Sequence, residues 1–132
     1  MDVALFLLRI ASASAFLYHG TAILLGAFGG PGPRAFAASH GWPLAVSLLV
    51  GLAQVFGGVS VLSGILTHLG AACLIVVMIG AIALVHLPHG FDVSNGGFEY
   101  ALTQMLVAAA LLIAGPGALS FAGLLPPAWR QW

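Results

Sequence analysis

Three polar residues near the end of an apolar segment could bind a metal ion. His86, His89 and Asp92 follow one another at three-residue spacing, which would present two imidazoles and a carboxylate to zinc or iron on a continuous helix. Pro88 and Gly90 interrupt that spacing. We therefore expect these side chains to cap a helix and order the following loop, with no metal bound, and keep a metal site as the less favoured alternative.

Four other polar side chains are candidates for holding a small ligand or the head of a quinone: His19, Gln54, Glu99 and Tyr100. The His19 imidazole could donate to a quinone carbonyl or to another helix. Gln54 interrupts an apolar segment, where an amide needs a partner from protein, water or ligand. Glu99 could complement the positive end of a helix, and we expect it close to His19, held in place by Gly96 and Gly97. We assign no catalytic residue.

The composition defines the environment of these side chains. Of the 132 residues 61% are hydrophobic and 5% are charged, against about 25% charged in soluble domains. A water-soluble monomer is therefore excluded, and no basic patch exists for nucleic acid. Cys73 has no second cysteine for an internal disulfide. The formal charges are Asp2, Arg9, Arg34, Asp92, Glu99 and Arg130.

Charge-free stretches locate four transmembrane helices, because a charge at mid-bilayer costs about 2.5 to 3.5 kcal/mol. Residues 10–33, 35–91 and 100–129 carry no formal charge, and Thr67 with His68 divides the longest of them. The predicted fold class is an all-α membrane domain, a four-helix bundle of two hairpins. The predicted helices cover about 3–26, 43–66, 69–87 and 97–115, with an interfacial tail over 118–132.

Several residues have predicted structural roles in that bundle. Arg9 lies inside the first helix and is expected to snorkel toward lipid phosphates, with pairing inside the bundle as the alternative. Gly58 is expected to let helices approach closely, with a groove for a lipid or quinone tail as the alternative. Arg9 and Arg130 on one side favour cytoplasmic termini.

The chain contains the motifs Tyr18-His19-Gly20, Phe28-Gly29-Gly30-Pro31-Gly32 and the stretch 85–100, in which Asn95-Gly96-Gly97-Phe98-Glu99-Tyr100 is most specific. Together these motifs resemble the DoxX family of small bacterial membrane proteins along nearly the whole chain. The resemblance implies four transmembrane helices, a bacterial inner-membrane location, and kinship with the DoxD-type subunit of thiosulfate:quinone oxidoreductase and with membrane partners of redox enzymes. The family often carries a lysine and an acidic residue where this chain has Ile23 and Gln54, so neutral packing replaces a charge pair.

Three classes of function follow from these observations. The preferred one is an accessory or anchoring subunit of a larger membrane redox or energy-converting complex, which would not be an enzyme on its own. The first alternative is a quinone-interacting subunit of an oxidoreductase, and the second is a small-solute carrier. The expected partners are the lipid bilayer and a larger membrane complex or a second copy of the chain. No intrinsic cofactor is expected, and quinone is the candidate ligand.

Overall fold

The computed structural model describes residues 1–129, which are helical and contain no strand. The helix over Thr67–Ala81 continues through a π-helical turn at Ile82–His86 and a 3₁₀ turn at Leu87–His89. Further 3₁₀ turns lie at Ala27–Gly29, Val93–Asn95, Phe121–Leu124 and Pro127–Trp129. The α-helices are α1 (Asp2–Leu25), α2 (Gly32–His40), α3 (Leu44–Ser63), α4 (Thr67–Ala81) and α5 (Glu99–Ala114).

The four long helices form an antiparallel bundle. Helix α1 packs against α3, α3 against α4 and α4 against α5, and a thinner contact between α1 and α5 closes the ring. The C-terminal ends of α1 and α4 therefore lie beside the N-terminal ends of α3 and α5, and we call this the distal end. The opposite end, with Asp2 and Ala114, is the proximal end.

A left-handed backbone turn separates α3 from α4. Gly64 has φ 78° and Leu66 has φ 54°, a region that glycine enters without a Cβ clash and that leucine rarely adopts. The turn at these residues ends α3 and starts α4 at Thr67. The polarity of the sequence placed the hairpin turn at Thr67 and His68, whereas the structure has it just before them, and both residues belong to α4.

The predicted all-α class with long apolar helices is confirmed, but the number of full-length spans differs. Within residues 1–129, three helical stretches are long and apolar enough to cross a membrane: Asp2–Leu25, Leu44–Ser63 and Thr67–His89. Helix α5 is apolar but has 16 residues, about 24 Å at 1.5 Å per residue, against a hydrocarbon core of about 30 Å. Residues 27–42, predicted as a connection, contain α2.

The C-terminal tail was predicted to lie in the membrane interface. Its described part, 118–129, contains two 3₁₀ turns and several exposed apolar side chains. Residues 130–132 of the predicted tail lie outside the described residues. The interfacial position of this segment stays a prediction.

Glycines bring the backbones of α1 and α3 together. A Cβ placed on Gly20 would lie 2.8 Å from Val55 Cγ2, and one on Gly58 would lie 2.9 Å from Leu17 Cγ. Apolar side chains are no better solvated by each other than by lipid, so such close backbone approach is a main source of helix association in membranes. The two helices are thus joined along most of their length.

Candidate functional site

A cavity of about 640 Å³ lies in the distal half of the bundle. All four long helices contribute to its largely apolar wall, and α2 with the residue Trp42 covers its distal end. His19 of α1, Gln54 of α3 and Tyr100 of α5 line it. The fold therefore brings together three of the four side chains that the sequence suggested for a ligand.

Two amide side chains that face this cavity have polar atoms without a hydrogen-bond partner among residues 1–129, although the Gln104 amide also shares a hydrogen bond with the Tyr100 hydroxyl. Gln54 is only 6% exposed, and no described residue is its partner. The carbonyl oxygen Oε1 of Gln104, on α5, is also buried and unpartnered. A buried amide without a hydrogen bond is unfavourable by about 1 to 3 kcal/mol. The cavity therefore contains polar groups that a ligand or water could satisfy.

An aromatic cluster continues from the cavity along α1. The His19 ring lies 5.2 Å from Tyr18 and 6.5 Å from Tyr100, both edge-on, while Tyr18 stacks on Phe28 at 5.0 Å. These are ordinary distances for favourable ring pairs. The Tyr18-His19 pair of the sequence motif thus connects the cavity to the turn after α1.

The glycine pair of the same motif lets the chain fold back on α1. Gly29 has φ 75°, which a side chain would strain. A Cβ on Gly30 would lie 2.5 Å from Ala22 Cβ, so this backbone lies directly against the helix. Both glycines therefore let the backbone turn back along α1, and the turn sets the position of Phe28.

Glu99 has a different partner from the one expected. Its Oε2 accepts a hydrogen bond from the Val93 N–H at 3.2 Å, and within residues 1–129 no hydrogen bond or ion pair joins it to His19. Successive residues on a helix point about 100° apart. Tyr100 therefore lines the cavity while its neighbour Glu99 faces the preceding loop, and the predicted contact with His19 is wrong.

The loop before α5 is closed by its own backbone. Gly96 has φ 79°, and a Cβ on Gly97 would lie 2.5 Å from the Phe91 carbonyl carbon, so both positions favour glycine. The loop holds the start of α5, and with it Tyr100, at the cavity. Three hydrogen bonds close it: Gly97 N–H to Asp92 O at 2.9 Å, Phe98 N–H to Gly90 O at 3.0 Å and Glu99 N–H to Phe91 O at 2.9 Å.

The three metal candidates each bond within this region of the chain. His86 Nδ1 donates to the Gly96 carbonyl at 2.7 Å, and His89 Nδ1 donates to the Val85 carbonyl at 3.0 Å. In the part of the chain that the structure describes, no three His, Cys, Asp or Glu side chains are grouped closely enough to hold a metal ion. The two histidines thus fasten the end of the α4 extension, one of them to the loop.

Asp92 caps the short turn that follows it. Its Oδ1 accepts from the Ser94 N–H at 2.8 Å and from the Ser94 hydroxyl at 2.7 Å. These two donors favour the charged carboxylate and lower the pKa of Asp92 below its ordinary value. The carboxylate therefore orders the loop in its ionised form.

Arg9 does not snorkel toward lipid phosphates. It is 1% exposed and donates four hydrogen bonds to backbone carbonyls, an arrangement we call the Arg9 staple. The staple joins the last turn of α3 to the segment after α5, because carbonyls at a helix C-terminus attract a cation. The acceptors are Val61 at 2.7 Å, Leu62 at 2.6 Å, Pro116 at 2.9 Å and Leu119 at 2.6 Å.

Some cavity residues were not identified as site candidates from the sequence. His40 stacks on Trp42 at 4.6 Å, and Phe36 lies 6.0 Å from Trp42. These three cover the distal end of the cavity because α2, which was not predicted, places them there. Gln104 had a usable signal, since it follows Tyr100 by four residues and so shares its helix face.

An antiparallel bundle of long apolar helices around an apolar cavity defines a multi-pass membrane protein. The chain belongs to the DoxX family, whose model matches residues 4–87. His19 and Gln54 lie within the matched segment, whereas Glu99 and Tyr100 lie beyond it. No curated protein and no solved structure matched the chain.

Proposed function

We propose that this DoxX-family chain is a quinone-interacting subunit of a membrane oxidoreductase complex. The observation that carries the proposal is Gln54, a buried and unpartnered amide that faces an apolar cavity inside the bundle. Leaving an amide unpaired away from water is unfavourable, whereas a quinone carbonyl would accept a hydrogen bond from it. Gln54 therefore serves as the group that recognises the polar head.

The shape and chemistry of the cavity suit such a ligand. Its volume of about 640 Å³ lies within the usual 300 to 1,000 Å³ of small-molecule sites. The wall is apolar apart from a few side chains, among them His19 and Tyr100 from two different helices. An apolar wall accommodates a ring and its hydrocarbon tail, and the few polar groups orient the head.

Fluorescence of Trp42 offers a direct test, because Trp42 lines the cavity and quinones quench tryptophan. The full chain with Trp129→Phe and Trp132→Phe, in phospholipid nanodiscs, retains Trp42 as its single tryptophan. A short-tailed benzoquinone should quench it saturably. Gln54→Leu should weaken binding about two- to tenfold, the value of one hydrogen bond.

The matched control is Val59→Leu, an exposed apolar position on the same helix outside the cavity. It should bind as the unchanged chain does. Quenching that rises linearly with quinone concentration and is the same in every variant would show that no site exists. Saturable quenching unaffected by Gln54→Leu would show that Gln54 does not contact the head.

The accessory or anchoring role in a larger complex is the second candidate, and the ordered distal loop favours it. Leu87, Phe91 and Val93 are exposed apolar side chains on a segment held by its own hydrogen bonds. A rigid apolar rim suits contact with another subunit.

Gentle detergent copurification followed by mass spectrometry tests the accessory role. A stoichiometric partner should be retained, and Leu87→Ser with Val93→Ser should release it while leaving Trp42 quenching intact. Retention of the partner by this double variant would contradict the role of the loop. The small-solute carrier stays a prediction.

A further inference from the structure

Helices α3 and α4 touch in the proximal half of the bundle and separate toward the distal end. A Cβ on Gly57 would lie 2.6 Å from Leu74 Cγ and 3.0 Å from the Gly70 carbonyl oxygen, so the backbones meet there. The α3 residues that line the cavity all precede Gly57, and those of α4 all follow Leu74. The two helices therefore form a V whose open part contains the cavity.

The mouth of this V faces the lipid. Leu49 on α3 is 66% exposed and Val76 on α4 is 69% exposed, and both also line the cavity. Leu84, in the α4 extension, is exposed in the same way. Because these borders are apolar and the helices span the bilayer, the opening connects the cavity with hydrocarbon. We call this opening the α3–α4 slot.

Two other sides of the cavity are closed by packing. Glycines bring α1 against α3, and a Cβ on Gly51 would lie 2.6 Å from Leu24 Cγ. At the distal end the stacked rings of His40 and Trp42, with Phe36 beside them, lie between the cavity and the aqueous phase. On the remaining α1–α5 side, exposed His19 and Tyr100 also border the cavity, but both side chains are polar. The slot is thus the apolar opening that the geometry offers to a molecule dissolved in the membrane.

Gln104 faces the same cavity as Gln54 but from a different helix. Its Oε1 is buried and has no hydrogen-bond partner in the described residues. Because a quinone carbonyl only accepts, Gln104 would bind it through the amide nitrogen: after a half-turn of the amide, Nε2 donates to the quinone while Oε1 accepts from the neighbouring Tyr100 hydroxyl. Gln54 on α3 and Gln104 on α5 can therefore hold a polar head at two points.

We propose that a lipid-soluble quinone enters the cavity sideways from the bilayer through the α3–α4 slot, and that Gln104 is a second residue that binds its head. This inference rests on the proposed quinone binding. It adds the access route, which controls the binding rate, and a further contact, which controls the affinity. The two parts are separable because they act on different kinetic quantities.

Stopped-flow quenching of Trp42 in nanodiscs, with the same short-tailed benzoquinone, measures both quantities. Val76→Phe narrows the slot and should lower the association rate about tenfold, because a narrower opening slows entry. The change in Kd should be smaller. The matched control is Ile79→Phe, an exposed position on α4 that does not line the cavity. Leu49→Phe, on the facing border, repeats the test should Val76→Phe fail to fold.

Gln104→Leu should weaken binding about two- to tenfold through faster dissociation, with the association rate unchanged. Thr103→Val, its exposed neighbour outside the cavity, is the control.

Equal association rates for Val76→Phe, Leu49→Phe and Ile79→Phe would overturn the slot, while an effect of Gln54→Leu on affinity would leave the proposed function standing. An unchanged dissociation rate in Gln104→Leu would overturn the second contact. Absence of saturable quenching in the unchanged chain would overturn the proposed function and this inference together. Quenching of Trp42 by acyl-brominated lipid that quinone does not relieve would show that a lipid tail fills the cavity instead.

Discussion

Replacement of Arg9 by methionine should destabilise the proximal end of the bundle. Methionine keeps an unbranched apolar chain but removes all the donors of the Arg9 staple. The carbonyls of Val61 and Leu62 at the end of α3, and of Pro116 and Leu119 after α5, then lose their shared partner. Carbonyls within a bilayer have few alternative donors.

The size of the effect follows from the four bonds. Hydrogen bonds in membrane proteins contribute about 0.6 to 1.7 kcal/mol each, and relief from burying the charge offsets part of the loss. Arg9→Met should therefore lower the free energy of unfolding by about 2 to 4 kcal/mol. Arg9→Lys keeps the charge but lacks the planar fork, so about 1 to 2 kcal/mol is expected.

Reversible unfolding in bicelles provides the assay. Ile10→Met, at an exposed position in the same turn of α1, is the matched control because it introduces the same side chain. Hydrogen exchange should show faster opening of residues 117–120 in Arg9→Met than in this control. Equal stability and equal exchange in the two variants would refute the staple and return Arg9 to a lipid-facing role.

Further outcomes are expected for two glycines and for Asp92. Gly57→Ala should lower the free energy of unfolding by about 1 to 2 kcal/mol, because its Cβ would lie 2.6 Å from Leu74 Cγ. Gly80→Ala should raise the free energy of unfolding by about 0.5 to 1 kcal/mol, because a Cβ there meets no atom within 4 Å. An unfolding temperature that shifts equally in the two variants would contradict both expectations. The order of the loop before α5 depends on ionised Asp92. It should be present near neutral pH and lost as the pH falls through the pKa of Asp92, which lies below its ordinary value of 3.8. NMR titration of Asp92 should show that pKa rising in Ser94→Ala, and no rise would contradict the cap.

The apolar composition and the charge-free stretches were enough to predict the class of fold. In lipid every backbone polar group needs a hydrogen bond within its own segment, so long apolar stretches form helices. The helix boundaries were less well predicted. Glycines and prolines in the 27–42 region indicated a loop, whereas the structure folds residues 32–40 into α2 because Pro33 suits the first turn of a helix.

The sequence predicted a site residue well where a rule about its own segment applies. It predicted poorly where the direction of the side chain depends on neighbouring segments. Gln54 was identified because an amide in an apolar segment needs a partner. Glu99 was placed beside His19 although its direction differs from that of Tyr100, and Arg9 was turned toward lipid although the end of α3 lies within its reach. Both errors concern which helix end or loop lies beside the charged side chain, and the packing of the helices decides that.

Sequence alone determined that this chain is helical, that it lies in a membrane, and that a few polar side chains interrupt its apolar helices. These properties depend on residue type and on spacing along one segment, which hydropathy reports directly. The tertiary structure decided that α3 and α4 separate beyond Gly57, that Gln54 and Gln104 face one cavity, and that Arg9 bonds four carbonyls. Each of these depends on distances between segments far apart in the chain, which glycine contacts and turn geometry set together.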